Sequence, residues 1–74
     1  LDVFPNPTAN AITVNDVDAY SDYTLTDISG KVVLSGLING STLQISLENL
    51  PAGMYFLNVR GENQVSVSQR VVKN

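Results

Sequence analysis

The stretch that decides the fold is the longest apolar run of the chain, Leu50-Pro51-Ala52-Gly53-Met54-Tyr55-Phe56-Leu57-Asn58-Val59. Its aromatic and branched residues favour a pleated strand, and Pro51 and Gly53 mark where that strand starts. Successive side chains of a strand point to opposite faces. One face therefore carries Tyr55, Leu57 and Val59, and the other carries Met54, Phe56 and Asn58. We predict a central strand with one face in the core and the second face either covered by a loop or exposed as an apolar patch.

The segments on either side of this run alternate apolar and polar residues with the period of a strand. Strands are predicted over residues 11–14, 23–26, 31–34, 42–47 and 64–73, and the last is expected to pair antiparallel with the central strand. The start of the chain resembles an edge strand that Pro5 and Pro7 end in a rigid bend. No window shows a helical period. About seven short strands separated by turns predict a small, all-β, Ig-like antiparallel β-sandwich.

Two turns can be assigned from their residues. Between residues 23–26 and 31–34 we expect Gly30 to take a positive φ and Asp27 to accept hydrogen bonds from the turn amides. Asn39-Gly40 is the strongest two-residue hairpin signal in the chain. It predicts that the strand before it pairs with the strand that contains Leu43.

Composition restricts the classes of function. The chain has 74 residues, a formal net charge of −3, no cysteine and no histidine. A nucleic-acid surface needs clustered cations, so nucleic acid is not expected as a partner. No segment is apolar and long enough to span a bilayer. We expect a single domain, residues 1–74, excised from a larger protein.

The sequence offers little catalytic chemistry. An acidic loop contains Asn15, Asp16, Asp18 and Asp22. Its spacing departs from a calcium-binding EF-hand, which places a glutamate where this chain has Asp27, so a solvated loop is favoured. The proximity of Ser29 to Lys31 is better explained by the turn than by a Ser-Lys catalytic pair in which the serine is the nucleophile. We assign no catalytic residue, no metal site and no cofactor.

The C-terminal segment, Arg70-Val71-Val72-Lys73-Asn74, places two apolar residues between two cations. One interpretation is a final edge strand whose charges discourage pairing with other chains. The other is a recognition tag that a receptor reads as an added strand. Both interpretations stay open on physical grounds.

Four stretches occur in a fixed order along the chain: Val3-Phe4-Pro5-Asn6-Pro7-Thr8, Asp27-Ile28-Ser29-Gly30-Lys31-Val32-Val33, Leu50-Pro51-Ala52-Gly53-Met54-Tyr55 and Arg70-Val71-Val72-Lys73. Each one alone is a weak signal, but the set is specific and covers essentially the whole chain. Together they resemble the type A C-terminal sorting domain of the type IX (Por) secretion system of Bacteroidetes.

The resemblance implies a non-catalytic signal at the end of a larger secreted protein. The domain would direct this upstream cargo from the periplasm through the outer-membrane translocon to the cell surface or the medium. A sortase-like protease would then remove the domain, often while joining the cargo to lipopolysaccharide at the cell surface.

The resemblance also implies site residues. Recognition by the translocon and the sortase would fall on Leu50, Pro51, Ala52, Gly53, Tyr55, Arg70, Val71, Val72 and Lys73, and the turn motif would comprise Asp27, Gly30 and Lys31. A tag of this kind needs an accessible terminus, so deletion of residues 71–74 is expected to leave the sandwich largely folded but to stop export.

An alternative function is a non-catalytic accessory or adhesion module that binds glycan or a neighbouring domain. It would use an exposed aromatic patch that includes Tyr20 or Phe56. A sugar-stacking platform could be formed by Tyr20, Tyr23, Tyr55 and Phe56. Three of these aromatic residues lie on predicted strands, so packing in the core is the default interpretation.

Overall fold

A computed structural model describes the backbone of residues 1–74 and every side chain except that of Gln64. The described backbone forms seven β-strands, which confirms the all-β prediction and the number of strands. The strands are β1 (Asp2–Phe4), β2 (Ala11–Asn15), β3 (Asp22–Asp27), β4 (Val32–Leu37), β5 (Thr42–Ser46), β6 (Gly53–Arg60) and β7 (Ser66–Lys73), and a 3-10 turn (Glu62–Gln64) precedes β7.

The strands form two antiparallel sheets. The smaller sheet has the order β1-β2-β5, and the larger sheet has the order β4-β3-β6-β7. Strand β6 pairs with β3 on one side and with β7 on the other, as predicted for the central strand and the last strand. A strand that is paired on both sides leaves no backbone edge exposed, so β6 fixes the positions of both neighbours.

The core lies between the two sheets. It contains Ile12, Val14 and Ile45 from the smaller sheet and Leu25, Tyr55, Leu57, Val59 and Val71 from the larger sheet, together with Val17, Ile38 and Leu47 from the connections. On the opposite face of β6, which we call the outer face, Met54 is 40% exposed and Phe56 and Asn58 are half-buried. The second face of the central strand is thus partly open to solvent.

The hairpin predicted at Asn39-Gly40 is wrong. Strands β4 and β5 belong to different sheets, so the segment between them crosses from one sheet to the other. Gly40 does take a positive φ of +94°, but the backbone N–H of Ile38 donates to the carbonyl of Ser21, 2.9 Å away, rather than to β5. The two-residue signal agrees only with a bend at Gly40, because burial of both strands against one core decided their pairing partners.

Replacement of Leu57 by alanine should lower the free energy of unfolding by about 2–5 kcal/mol, because this fully buried side chain would leave a cavity between the sheets. Met54 lies three residues earlier on the outer face, and the matched variant Met54→Ala should cost less than about 1 kcal/mol. Urea unfolding of both variants measures the difference. Equal losses would contradict the assignment of the two faces.

Candidate functional site

The four sequence stretches come together at one end of the sandwich. In the larger sheet, Gly53 at the start of β6 lies opposite Lys73 at the end of β7, and Tyr55 lies opposite Asp27 at the end of β3. Thr8 forms a parallel bridge to Lys73 from the other side. We call this end the motif end, and it comprises residues 5–8, 27–31, 48–55 and 70–74.

Tyr55 holds the loop that leads into the central strand. Its ring is buried, and its hydroxyl donates to the carbonyl oxygen of Pro51 at 2.6 Å. The backbone N–H of Leu50 donates to the carbonyl of Leu47 at 3.0 Å and closes the preceding turn. A buried tyrosine hydroxyl needs a polar partner, so this bond fixes the path of Pro51, Ala52 and Gly53.

Lys73 ties the end of β7 to the same loop. Only 9% of its surface is exposed, and its ammonium group donates to the carbonyl oxygens of Leu50 and, at 3.4 Å, of Glu48. The aliphatic part of a lysine can lie along apolar surface while its charged group binds carbonyl oxygens. Lys73 therefore links the end of β7 to the loop before β6 and stabilises both.

The expectation of an accessible C-terminal tag is wrong for two of its residues. Val71 is fully buried in the core, and Lys73 is nearly buried. Both lie on the inner face of β7 because the side chains of a strand alternate, whereas Arg70 is exposed on the outer face and Val72 is half-buried. Deletion of residues 71–74 would thus remove part of the core together with the Lys73 bonds, so it would not leave the sandwich largely folded.

The turn motif has the geometry predicted from its residues. The carboxylate of Asp27 accepts hydrogen bonds from the Ser29 hydroxyl at 2.6 Å, the Ser29 amide at 2.9 Å and the Lys31 amide at 3.1 Å. Gly30 has a φ of +90°, a conformation that glycine adopts readily. The hydrogen bond from the Ser29 hydroxyl and those from the two amides hold the pKa of Asp27 below its ordinary value of 3.8.

Residues 5–8, which we call the strap, bind along the end of β7. The side-chain amide of Asn6 donates to the carbonyl of Arg70 at 2.8 Å, and its oxygen accepts from the backbone N–H of Val72 at 3.0 Å. The N–H of Thr8 donates to the carbonyl of Val72, and the N–H of Asn74 donates to the carbonyl of Thr8, both at 2.8 Å. Sequence reasoning predicted a bend here but missed these contacts, because Asn6 lies between two prolines and only its side chain reaches β7.

The predicted recognition residues thus fall into two groups. Tyr55, Val71 and Lys73 are buried and hold the motif end together, with Leu50 and Val72 half-buried beside them. Pro51, Ala52, Gly53 and Arg70 are exposed, as is Lys31 in the turn. Ile28, which is 77% exposed, lines a shallow cleft with Ala52 and Met54. A partner protein can contact the second group directly, whereas the buried side chains of Tyr55, Val71 and Lys73 can act only through the shape that they maintain.

Charge is distributed unequally between the two ends of the sandwich. The end opposite the motif end, which we call the acidic end, carries five of the seven carboxylates of the chain: Asp2, Asp16, Asp18, Asp22 and Glu62. Arg60 is also there, and its Nε lies 3.2 Å from a carboxylate oxygen of Asp22. The other three cations, Lys31, Arg70 and Lys73, belong to the motif end. Among the described residues, no acidic group of three or more is arranged to hold a metal ion.

The aromatic residues do not form a common surface. Tyr55 is buried, and Tyr20 and Tyr23 pack against the core, so the default interpretation of core packing is confirmed for these three residues. Phe56 lies on the outer face of β6 instead. A sugar-stacking platform built from all four side chains is therefore excluded by the fold.

A comparison with family models shows the family to which the chain belongs. The model for the secretion system C-terminal sorting domain matches residues 2–74. The chain belongs to this family of type IX sorting domains. The resemblance carried by the four stretches is thus confirmed, and no curated protein matches the chain.

Membership of the sorting-domain family has consequences for function. A type IX sorting domain is a non-catalytic tag on cargo of the secretion machinery, which agrees with the expectation that this chain is not an enzyme. It belongs to a secreted protein that is extracellular or at the cell surface. Within the described residues, no helix has the length and apolar character needed to cross a membrane.

Replacement of Lys73 by methionine should lower the free energy of unfolding by about 1–3 kcal/mol, because the carbonyl groups of Glu48 and Leu50 lose their donor in a half-buried site. Lys31 is an exposed lysine at the same end, and Lys31→Met should change stability by less than about 0.5 kcal/mol. Urea unfolding tests both variants. A Lys73→Met variant as stable as Lys31→Met would contradict the stabilising role of the Lys73 hydrogen bonds.

The lowered pKa of Asp27 predicts a specific dependence of stability on pH. Because the folded-state pKa lies below the unfolded value, the contribution of Asp27 is fully present above about pH 4 and is lost as the pH falls through the folded-state pKa. Urea unfolding between about pH 2 and pH 6 should therefore show a shallower loss at low pH for Asp27→Asn than for the wild type. Asp18→Asn, in the exposed loop before β3, is the control, and identical pH profiles for wild type and Asp27→Asn would contradict the prediction.

Proposed function

We propose that residues 1–74 act as one C-terminal signal that directs an upstream cargo protein from the periplasm through the outer-membrane translocon of the type IX system. A sortase-like protease then removes the domain, and the cargo is released or attached to the cell surface. The observation that carries the proposal is the gathering of all four motif stretches at one end, in a chain that matches the sorting-domain family over residues 2–74.

The two groups of motif residues have different tasks in this proposal. The exposed residues Pro51, Ala52, Gly53 and Arg70 contact the translocon directly. Tyr55 and Lys73 fix the backbone on which those residues sit, through their bonds to Pro51 and Leu50. The translocon therefore contacts a folded surface built from two separate segments of the chain, residues 51–53 and Arg70.

The direction of β1 supports the assignment of the motif end as the contacting surface. Asp2 lies opposite Asn15 at the acidic end, and β1 runs from there towards the strap. A cargo joined before Leu1 consequently approaches at the acidic end and leaves the opposite, motif end unobstructed. Cleavage upstream of Val3 would then occur on the cargo side, away from the surface that the translocon holds.

An export assay tests this proposal with two matched arginines. The domain is fused behind a signal peptide and a fluorescent reporter in a Bacteroidetes host. Arg70 and Arg60 are both exposed on the outer face of the larger sheet, at opposite ends. Arg70→Glu should reduce reporter export about tenfold through charge reversal at the contact surface, whereas Arg60→Glu should leave export within about twofold.

The mass of the exported reporter tests the cleavage step separately. Removal of the domain shortens the fusion by 8.0 kDa. A reporter that is exported at full length would contradict cleavage only. A reporter that stays in the periplasm with the intact domain attached would refute the sorting function itself, and equal export of both arginine variants would refute the choice of the motif end.

A further inference from the structure

Strand β7 is the last strand of the larger sheet, so one of its backbone edges faces away from β6. The bonds of Val72 to the strap show that its N–H and C=O groups point outward. In an antiparallel strand the direction of these groups alternates from residue to residue, so Arg70, Ser68 and Ser66 point outward as well. We call the outward groups of residues 66–72 the outer edge of β7.

The strap covers only half of this outer edge. Asn6 and Thr8 occupy the carbonyl of Arg70, both groups of Val72 and the N–H of Asn74. Within the described part of the chain, no hydrogen bond reaches the outward groups of Ser66 and Ser68. The edge is therefore occupied near Val72 and open near Ser68.

The open half also lacks the usual protection of an edge strand. Exposed edges are normally guarded by charged side chains, especially lysine. Here Lys73 is turned inward, Ser66 and Ser68 are small, and Val65 and Val67 are 50% and 36% exposed beside the open groups. An extended segment added at this edge would both satisfy the free backbone groups and cover the two valines.

We propose that the outer edge of β7, from Ser66 to Val72, binds an extended segment of a partner protein by strand addition. The partner segment carries apolar side chains at alternate positions, because these are the ones that cover Val65 and Val67. The assignment of this partner to the translocon rests on the proposed function. The existence of the open edge does not depend on that function, because it follows from the backbone hydrogen bonds of β7 alone.

The strap shows how the partner binds and also limits its access. Thr8 already pairs with Lys73 in a parallel bridge, and the side-chain amide of Asn6 takes the place of a peptide group of an added strand. Asn6 is exposed, whereas Thr8 is 2% exposed and donates from its hydroxyl to the carbonyl of Ala11 at 2.6 Å. The partner therefore displaces Asn6 and leaves Thr8 in place, which makes the strap a competitor at one end of the site.

Amide hydrogen exchange, followed by NMR on the 74-residue chain, tests the edge without any secretion machinery. Asn6→Ala should speed exchange of the Val72 amide roughly fivefold, since one hydrogen bond is lost, and leave the Val71 amide, which faces β6, unchanged. Unchanged exchange at Val72 would overturn the competitor role of the strap.

The probe for strand addition is a short blocked peptide in which valine alternates with threonine between terminal lysines. It should slow exchange of the Ser68 amide, and it should bind Asn6→Ala several-fold more tightly than the wild type. Ser68→Pro removes the outward N–H and should abolish binding, while Ser68→Ala, which loses only the hydroxyl bond to Asn58, should bind like the wild type. If the Ser68 amide is not protected in either the wild type or Asn6→Ala, or if the peptide instead drives two chains to pair through β7, the proposal is overturned.

The export assay then tests the identity of the partner. Export that falls about tenfold for Ser68→Pro but not for Ser68→Ala supports an added strand of the translocon. Equal export of these two variants overturns it. Failure of the intact domain to direct any export would refute the proposed function, and the peptide experiment would still decide whether the edge accepts a strand.

Discussion

The structure depends on the register of β6 between β3 and β7. This register places Tyr55, Leu57 and Val59 towards the smaller sheet, and a slip by one residue would turn all three to solvent. The same register brings the ends of β3 and β7 to the start of β6. The core and the motif end are thus two results of one constraint, and a change that disturbs the pairing of β6 affects both.

The motif end is held by hydrogen bonds to main-chain carbonyls. Tyr55 binds the carbonyl of Pro51, Lys73 binds those of Leu50 and Glu48, and Asn6 binds that of Arg70. Bonds of this kind fix backbone paths and depend little on the side chains of the residues that accept them. The residues that a partner can contact, such as Pro51 and Arg70, could therefore vary without loss of the fold. Substitution of Tyr55 or Lys73, by contrast, would leave main-chain carbonyl groups without their hydrogen-bond donors.

Local chemistry was predictable from the sequence, and the choice of distant partners was not. The alternation of apolar and polar residues predicted the strands, and Asp27 together with Gly30 predicted the turn, because these features depend on neighbours within a few residues. The bend at Gly40 agrees with the Asn39-Gly40 signal, but the strands that flank it belong to different sheets, where they bury their apolar faces. The contacts of Asn6 and the burial of Lys73 depend on residues more than twenty positions away, for which a single sequence carries no signal.

The burial of Val71 changes how a truncation of this domain is interpreted. A terminal tag that is read as a linear segment could be removed without harm to the rest of the domain. In this fold, loss of residues 71–74 also removes a fully buried core side chain and the ammonium group that holds the loop before β6. Loss of export after such a deletion would therefore be expected from unfolding alone. Only substitutions at exposed positions of the motif end, with the fold shown to be intact, can separate recognition from stability, because they change what a partner meets without changing what the core contains.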